Sequence, residues 1–513
     1  MRKFLQFFTS RFFILALLLT SQIALIVAFS VLGILTDYGY YYLVAALILN
    51  VPFLVFVVNS KANETYKLAW MLLIAIVPVG GALFYLLFAN KRDNKRQRKK
   101  IINYNNLLIK YGNYTNDLYS LEKKDSDGFA LCRALYEKGY IPPFNESKVN
   151  YYFPGEKVLD DLLKDLKEAK NFIFIEFYII ELGYFWDQIL NVLIEKAKEG
   201  VEIRILYDDF GCMQKLPYRY DKKLKKYGIE CKIFNIYKPF LDIKMNNRDH
   251  RKLIIIDGLI SYTGGINIAD EYINKKVRFG QWRDNCIRIK GKATFGNILL
   301  FLSNWDNQNN LNEDFSKYKI DYDDDELLNY KDQYAQPFGD VPFDYESLGE
   351  SNYLNLINTA KKYLYISTPY LVLTESLIKS LILAKRKGVD VRIVIPGIPD
   401  KKITYQVSLS YAYKLISAGI KIYKFMPGFN HEKTFLVDDK FATVGTINLD
   451  LRSEFLNYEN AVFLYNNDCL KDIKEDFNDM FNKSIILTSK DVLKGGIFKK
   501  IAWAILNCFA SMF

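Results

Sequence analysis

Histidine is almost absent from this chain: 2 residues among 513, against 38 Tyr and 37 Phe. The scarcity excludes a histidine-rich metal centre, and cysteine does not replace it. The six cysteines (Cys132, Cys212, Cys231, Cys286, Cys469, Cys508) are scattered, with no CxxC pair. Neither zinc-ligand spacing nor a disulfide framework is present, so no metal or cofactor is expected. Acidic residues are scarce in one region only. Residues 1–100 hold 12 Lys+Arg against 3 Asp+Glu, while the other 413 hold 57 against 55. The overall charge of +11 therefore belongs to the N-terminal segment. That argues against a broad polyanion-binding surface and against nucleic acid as a partner.

Charge is missing from three apolar runs: Phe12–Leu35, Tyr42–Val58 (which holds Asn50 and Pro52) and Leu68–Ala89. About 20 apolar residues cross a bilayer, so residues 1–90 read as a membrane anchor with two or three transmembrane helices. The first run is too long for the core of a cleaved signal peptide and lacks a small-residue cleavage site. "KRDNKRQRKK", Lys91 to Lys100, opens a basic juxtamembrane linker assigned to 91–140. The positive-inside rule then predicts a multi-pass cell-membrane protein whose remaining chain faces the cytoplasm. Three spans would leave Arg2, Lys3 and Arg11 on the opposite side; a re-entrant second segment would remove that conflict.

The rest is one unit written twice. "NFIFIEFYII" (Asn171 to Ile180) precedes "AKEGVEIRILYDD" (Ala197 to Asp209), and "YLYISTPYLV" (Tyr363 to Val372) precedes "AKRKGVDVRIVIPG" (Ala384 to Gly397). A Gly-Val-acid-aliphatic-Arg-Ile string starts at Gly200 and again at Gly388, with a histidine 50 and 43 residues further on. Three elements repeated in order indicate internal duplication. Helices alternating with short β-rich runs predict an α/β fold of two tandem lobes, 141–335 and 336–490, forming one shared active-site cleft. Ile497, Ile501, Ile505, Cys508, Phe509 and Met512 fall on one helical stripe near Lys494, Lys499 and Lys500. Residues 491–513 are therefore expected to be an amphipathic helix on an anionic membrane, the alternative being a helix packed on the domain.

Both histidines lie in matching frames. His250, Lys252 and Asp257 are followed by Gly264, Gly265 and Asn267; His431, Lys433 and Asp438 by Gly445, Thr446 and Asn448. On a strand, His and Lys two apart share a face. Two such units suit a phosphodiester: lysines neutralise the non-bridging oxygens, one imidazole attacks phosphorus and the other protonates the leaving alcohol. Histidine is kept for chemistry.

The doubled HxKxxxxD motif with its trailing Gly-x-x-Asn resembles the phospholipase D superfamily. The apolar N-terminal runs, the basic run, "IEFY", "ILYDDFG" and "WRDNCIRIKG" are similar to the bacterial cardiolipin synthases within it. The resemblance implies transfer from one phosphatidylglycerol to another, giving cardiolipin and glycerol through a phosphohistidine intermediate. It implies His250 as nucleophile and His431 as acid, then base, with the reverse order left open by the near-symmetry of the repeats. Lys252 and Lys433 would hold the phosphate, beside Asn267, Asn448, Gly264 and Thr446. Each imidazole should have an acidic partner. Asp284 is the candidate for His250, and Glu459, 28 residues after His431, is the other. Asp257 and Asp438 complete the motif, with a turn-bracing role favoured over proton transfer. Gly265 departs from the Ser common in the family. Water or another alcohol as acceptor is the alternative activity, and a nuclease is less favoured. Acyl-chain preference and oligomeric state are not encoded in these motifs.

Overall fold

The repeated β-rich runs become two sheets of matching topology in a computed structural model of the chain. It describes residues 20–510 except 22, 25–26, 29–30, 61–63, 78–79, 89–94, 238–246, 308–312, 321, 323 and 343–345. The first lobe contains β1 (Ser147–Tyr152), β2 (Phe172–Phe177), β3 (Glu202–Asp208), β4 (Glu230–Phe234), β5 (Arg248–Asp249), β6 (Lys252–Ile256), β7 (Ile260–Gly264), β8 (Gln281–Arg283) and β9 (Cys286–Gly291). The second contains β10 (Tyr334–Asp340), β11 (Tyr363–Ser367), β12 (Asp390–Pro396), β13 (Lys421–Phe425), β14 (Gly428–Asn430), β15 (Thr434–Val437), β16 (Phe441–Gly445), β17 (Asn457–Tyr465) and β18 (Ser484–Ile486). The strand orders are β1-β9-β7-β6-β2-β3-β4 and β10-β17-β16-β15-β11-β12-β13-β18. They match position for position, apart from the extra β18. The expected α/β duplication is what the chain forms.

Period-two alternation decides which core each strand residue enters. Ile173, Ile175, Ile203 and Ile205 point into the outer core of the first lobe. Leu364, Ile366, Val391 and Ile393 do the same in the second. The intervening residues, Phe174 and Leu206 on one side and Tyr365 and Val394 on the other, meet in a middle core between the sheets. The helices Thr294–Asn307 and Leu470–Asn482 contribute to that middle core. The two lobes are thus held by a shared apolar layer, which fixes the geometry of any site between them.

Three expectations need correction. Residues 91–140 are not a linker. The helix Lys95–Tyr111 sends Tyr104, Leu108 and Tyr111 into the middle core. The helices Asn116–Glu122 and Ser126–Gly139 bury Leu118, Leu121, Leu131 and Leu135 in the second lobe. Apolar residues at helical spacing were there to be read, but the basic run from Lys91 to Lys100 marked the whole segment as a juxtamembrane linker. Secondly, the boundary at 335/336 falls inside β10, whose first residue already pairs with Tyr465 of β17.

Thirdly, the apolar run Leu68–Ala89 is not one helix. It forms Glu64–Ile76 and Gly80–Phe88, of 13 and 9 residues. At about 1.5 Å per residue neither reaches across a hydrocarbon core of about 30 Å. The sequence puts a proline, which has no N–H, four residues after the Ile74 carbonyl. The buried side-chain amide of Asn50 donates to that carbonyl instead, at 3.0 Å. Gly81 permits the return, since a Cβ there would stand 2.4 Å from the Leu73 carbonyl oxygen. The run with Asn50 and Pro52, by contrast, is one helix, Gly39–Val58. Among the described residues it alone is long and apolar enough to cross a membrane (20 residues, mean hydropathy 2.3). The expected span Phe12–Leu35 lies largely outside the described residues.

At the other end, the helix Gly496–Cys508 buries Trp503 against the domain, and Asn507 accepts a hydrogen bond from Ser410 at 2.9 Å. Ile497, Phe498, Ile501 and Ile505 remain exposed. The helix therefore packs on the domain by one face and leaves the aliphatic stripe open; Met512 lies outside the described residues.

Candidate active site

Both histidines sit where one lobe lends a strand edge to the other. β5, just before His250, runs parallel to the start of β17, pairing Arg248 with Asn457 and Asp249 with Tyr458. β14, just before His431, runs parallel to β8, pairing Phe429 with Trp282 and Asn430 with Arg283. The ladders continue one bond further: His250 N–H donates to the Tyr458 carbonyl and His431 N–H to the Arg283 carbonyl, each at 2.8 Å. The next residues on the partner strands are Glu459 and Asp284. Strand register thus delivers a carboxylate to each imidazole.

The pairing is crossed between lobes. His250 Nδ1 lies 2.8 Å from Glu459 Oε2, and His431 Nδ1 lies 2.7 Å from Asp284 Oδ2. Asp284 was expected to serve His250; it serves His431, and Glu459 serves His250. Proximity along the chain pointed the wrong way because each acid is presented by a strand of the opposite lobe. A carboxylate on Nδ1–H fixes the tautomer, leaving Nε2 of each ring as the reactive nitrogen.

The remaining motif residues divide. Lys252 and Lys433 are buried, and each ammonium donates to the carbonyl of its own histidine, Lys252 at 2.7 Å. Asn267 joins the edges of the site, accepting from Ile179 N–H and donating to the Tyr272 hydroxyl. Asn448 donates to Ser453. Thr446 donates to Glu459, and Asn457 donates to the other carboxylate oxygen at 3.0 Å. Gly264 allows the close approach of β9: a Cβ there would lie 2.4 Å from the Asn285 carbonyl oxygen. At Gly265 a Cβ would lie 1.9 Å from Asp284 Oδ1. The shorter acid occupies the space of the missing side chain, so Gly265 and Asp284 replace the Thr446–Glu459 pair of the other half.

Asp257 and Asp438, placed among the catalytic candidates, are not in the cleft. Asp257 accepts from the N–H groups of Lys170, Asn171 and Phe172 at 2.7–2.8 Å. Asp438 repeats this on Lys361, Lys362 and Tyr363. Five residues beyond Lys252 along β6, Asp257 lies roughly 17 Å away. Each carboxylate ties the turn after the histidine strand to the start of the neighbouring strand. Asp257→Asn keeps the shape and tolerates the positive φ of 51°, but presents an amide to three donors. We expect about 2–4 kcal/mol less stability in chemical denaturation and kcat within about twofold of the parent once folded. A large loss of kcat at unchanged stability would return Asp257 to the catalytic set.

Burial dominates the electrostatics. It holds both imidazoles well below the usual histidine range, helped at His250 by Lys252 and Lys433 and at His431 by Lys433 and Lys252. Burial also lifts Glu459 and Asp284 to about 7 and lowers Lys252 to about 7 and Lys433 to about 8. Neutral imidazoles beside cationic lysines make a nucleophile and an anion site together. Both histidines open onto one cleft of about 270 Å³, its walls drawn from both lobes.

Comparisons with known proteins agree with this geometry. Residues 151–296 and 353–481 match the family described as "Cardiolipin synthase, PLD-like domain", and residues 48–90 match "Phospholipase_D-nuclease N-terminal". A cardiolipin synthase of Alkalihalophilus pseudofirmus is 34% identical over 82% of this chain and 83% of its own. Cardiolipin synthase 1 of Staphylococcus aureus is 33% identical over 85% and 89%. The chain belongs to the cardiolipin synthase family. A crystal structure of phosphatidylserine synthase from Haemophilus influenzae superposes with a TM-score of 0.55 at 14% identity, covering 74% of this chain and 99% of that one. It shows a shared fold.

Several residues escaped the motif reading of this cardiolipin synthase family member. Arg251, inside the first motif, is fully buried and donates to the carbonyls of Glu459 and Leu300 and to the Tyr104 hydroxyl. It ties the juxtamembrane helix to the strand carrying the carboxylate of His250. Glu432 holds the same place in the second motif and pairs with Arg283. Tyr272, Trp282 and Phe429 surround His431 with ring centroids 5.5–5.7 Å away, whereas Tyr178 approaches His250 at 5.1 Å. Lys401 and Arg452 also line the cleft. The one available signal was offset: Glu271 and Arg452 each stand 21 residues after a histidine.

Proposed function

We propose that this phosphatidyltransferase makes cardiolipin and glycerol from two phosphatidylglycerol molecules. The carrying observation is the pair of imidazoles facing one cleft, each with Nδ1 bound to a carboxylate from the opposite lobe. His250 Nε2 attacks phosphorus as His431, which enters this step as the imidazolium ion beside Asp284 once the anionic phosphodiester is bound, gives its Nε2 proton to the glycerol oxygen, and the P–O bond to glycerol breaks. Neutral His431 then takes the proton of the incoming hydroxyl, whose oxygen attacks phosphorus and releases His250 as the P–N bond breaks. Lys252 and Lys433 neutralise the phosphoryl oxygens throughout. Asn267 and Asn448 hold the cleft edges.

The enzyme sits in the cell membrane with its lobes on the cytoplasmic side. The folded-back pair Glu64–Ile76 and Gly80–Phe88 enters and leaves by the same face, leaving Phe12–Leu35 and Gly39–Val58 as the spans. That topology puts Arg2, Lys3 and Arg11 on the same side as the basic run from Lys91, which removes the charge conflict of a three-span reading. The stripe of Ile497, Phe498, Ile501 and Ile505 lies on the anionic leaflet.

The test is purified protein in phosphatidylglycerol vesicles, with products resolved across pH. Cardiolipin and glycerol in equal amounts are expected. Phosphatidic acid alone would replace the transferase reading with a hydrolase. kcat/KM should fall below about pH 7, as Glu459 and Asp284 take up protons and release the tautomer. It should also fall above about pH 7, as Lys252 loses its proton, and further above about 8, as Lys433 does, leaving a narrow maximum near 7. A flat profile from pH 5 to 9 would contradict these assignments.

A further inference from the structure

The two lobes match strand for strand but not in charge at the cleft. Glu271 and Arg452 occupy equivalent positions, and both line the cleft. Glu271 is neutralised by Arg278 at 2.9 Å. On the second-lobe side Arg452 is joined by Lys401, which the first lobe does not reproduce: the residue at the same offset from the repeated string is Met213. The Lys401 ammonium stands 4.9 Å from the Tyr370 ring centre and makes no ion pair within 4 Å among the described residues. Two acids, Asp400 and Asp450, share this wall, and each is also bound to another group. Asp400 accepts from the Tyr370 hydroxyl at 2.6 Å, and Asp450 caps the helix Leu451–Phe455 through Ser453 N–H at 2.8 Å. The positive charge of this wall reaches the reacting centre: Lys401 depresses both imidazoles and Arg452 depresses His250.

The chemistry requires a charge of this kind. Joining two anionic phospholipids brings two phosphodiesters into one cleft. One is transferred and lies on Lys252 and Lys433; the acceptor's own phosphodiester stays intact and needs a separate counter-charge, because an unpaired anion in a walled cleft is costly. We propose that Lys401 and Arg452 form a second anion subsite, which holds the intact phosphodiester of the acceptor lipid. The surroundings fit a lipid phosphate. Ile398 and Ile403 flank Lys401 and are 41% and 56% exposed, while Val277, beside the cleft residues Arg278 and Phe279, is 85% exposed. Aliphatic tips next to cations match the boundary between headgroups and acyl chains. The helix Lys402–Ser417, which starts at this rim, packs on Gly496–Cys508, and that helix in turn meets the anchor helix Glu64–Ile76.

The inference rests on the phosphatidyl-transfer reading, and the experiment separates the two. Full-length enzyme in phosphatidylglycerol vesicles is given ethanol as a competing acceptor without phosphate. The parent enzyme should form both cardiolipin and phosphatidylethanol; if it forms neither, the transfer reading fails and takes this subsite with it. In Lys401→Met the cardiolipin-to-phosphatidylethanol ratio should fall about tenfold, the scale of one charge-assisted contact. It should fall further in Lys401→Glu and recover in Lys401→Arg. Arg452→Met should shift the ratio in the same direction. An unchanged ratio would overturn the subsite. So would an equal fall of both products in Lys401→Met, which would place the lysine on the donor phosphate instead.

Discussion

Cardiolipin formation should drop by about 10⁴-fold or more in His250→Ala, and by a similar factor in His431→Ala. Each imidazole is a reagent that the other cannot replace, since one must hold phosphorus while the other moves a proton. The double variant should therefore fall little further than either single one, as expected for groups acting as a unit. Both rings are buried, so thermal denaturation must show that the variants remain folded. The same experiment orders the roles. Mass spectrometry of peptides after a denaturant quench at mildly alkaline pH, which preserves a P–N bond, should find the phosphatidyl adduct on His250 and none in His250→Ala; an adduct on His431 would reverse the assignment. Retention of more than a few per cent activity in either variant would remove that histidine from the chemistry.

The second large effect is expected at the carboxylates. Glu459→Gln and Asp284→Asn should each lower kcat by about 10²–10⁴-fold with little change in KM, because the partner imidazole loses the group that fixes its tautomer. An amide at 459 cannot accept from His250, Thr446 and Asn457 together as the carboxylate does. The crossed pairing makes a sharper claim. In proton NMR, Glu459→Gln should abolish the low-field Nδ1–H resonance of His250 and leave that of His431 in place; Asp284→Asn should do the reverse. Loss of the His431 signal in Glu459→Gln would mean that the carboxylates act within their own lobes.

Much of the fold was legible in the chain. The Gly-Val-acid-aliphatic-Arg-Ile string at Gly200 and Gly388 becomes β3 and β12, where Glu202 pairs with Arg204 and Asp390 with Arg392 along the same strand face. Residues two apart on a strand must share a face, so this pairing needs no tertiary information. The same rule placed Lys252 beside His250. What failed was anything that depended on which chain segments meet. The Leu68–Ala89 run satisfied every composition test for a span, yet it forms two short helices, with Gly81 returning close to Leu73 and Asn50 bound to the Ile74 carbonyl. The helices between 95 and 139 read as a basic juxtamembrane linker because their apolar residues matter only once a lobe is there to receive them.

Sequence by itself determined the duplication, the strand periodicity and the two His-Lys frames. All of these are local or repetitive, set by backbone geometry and residue chemistry within a few positions. Tertiary structure alone decided that Glu459 serves His250 and Asp284 serves His431, and that Lys401 and Arg452 line one wall of the cleft. The crossed pairing follows from the register of β5 on β17 and of β14 on β8. Register between strands far apart in the chain is chosen by packing two sheets over a common core, a long-range property that no short window of residues contains.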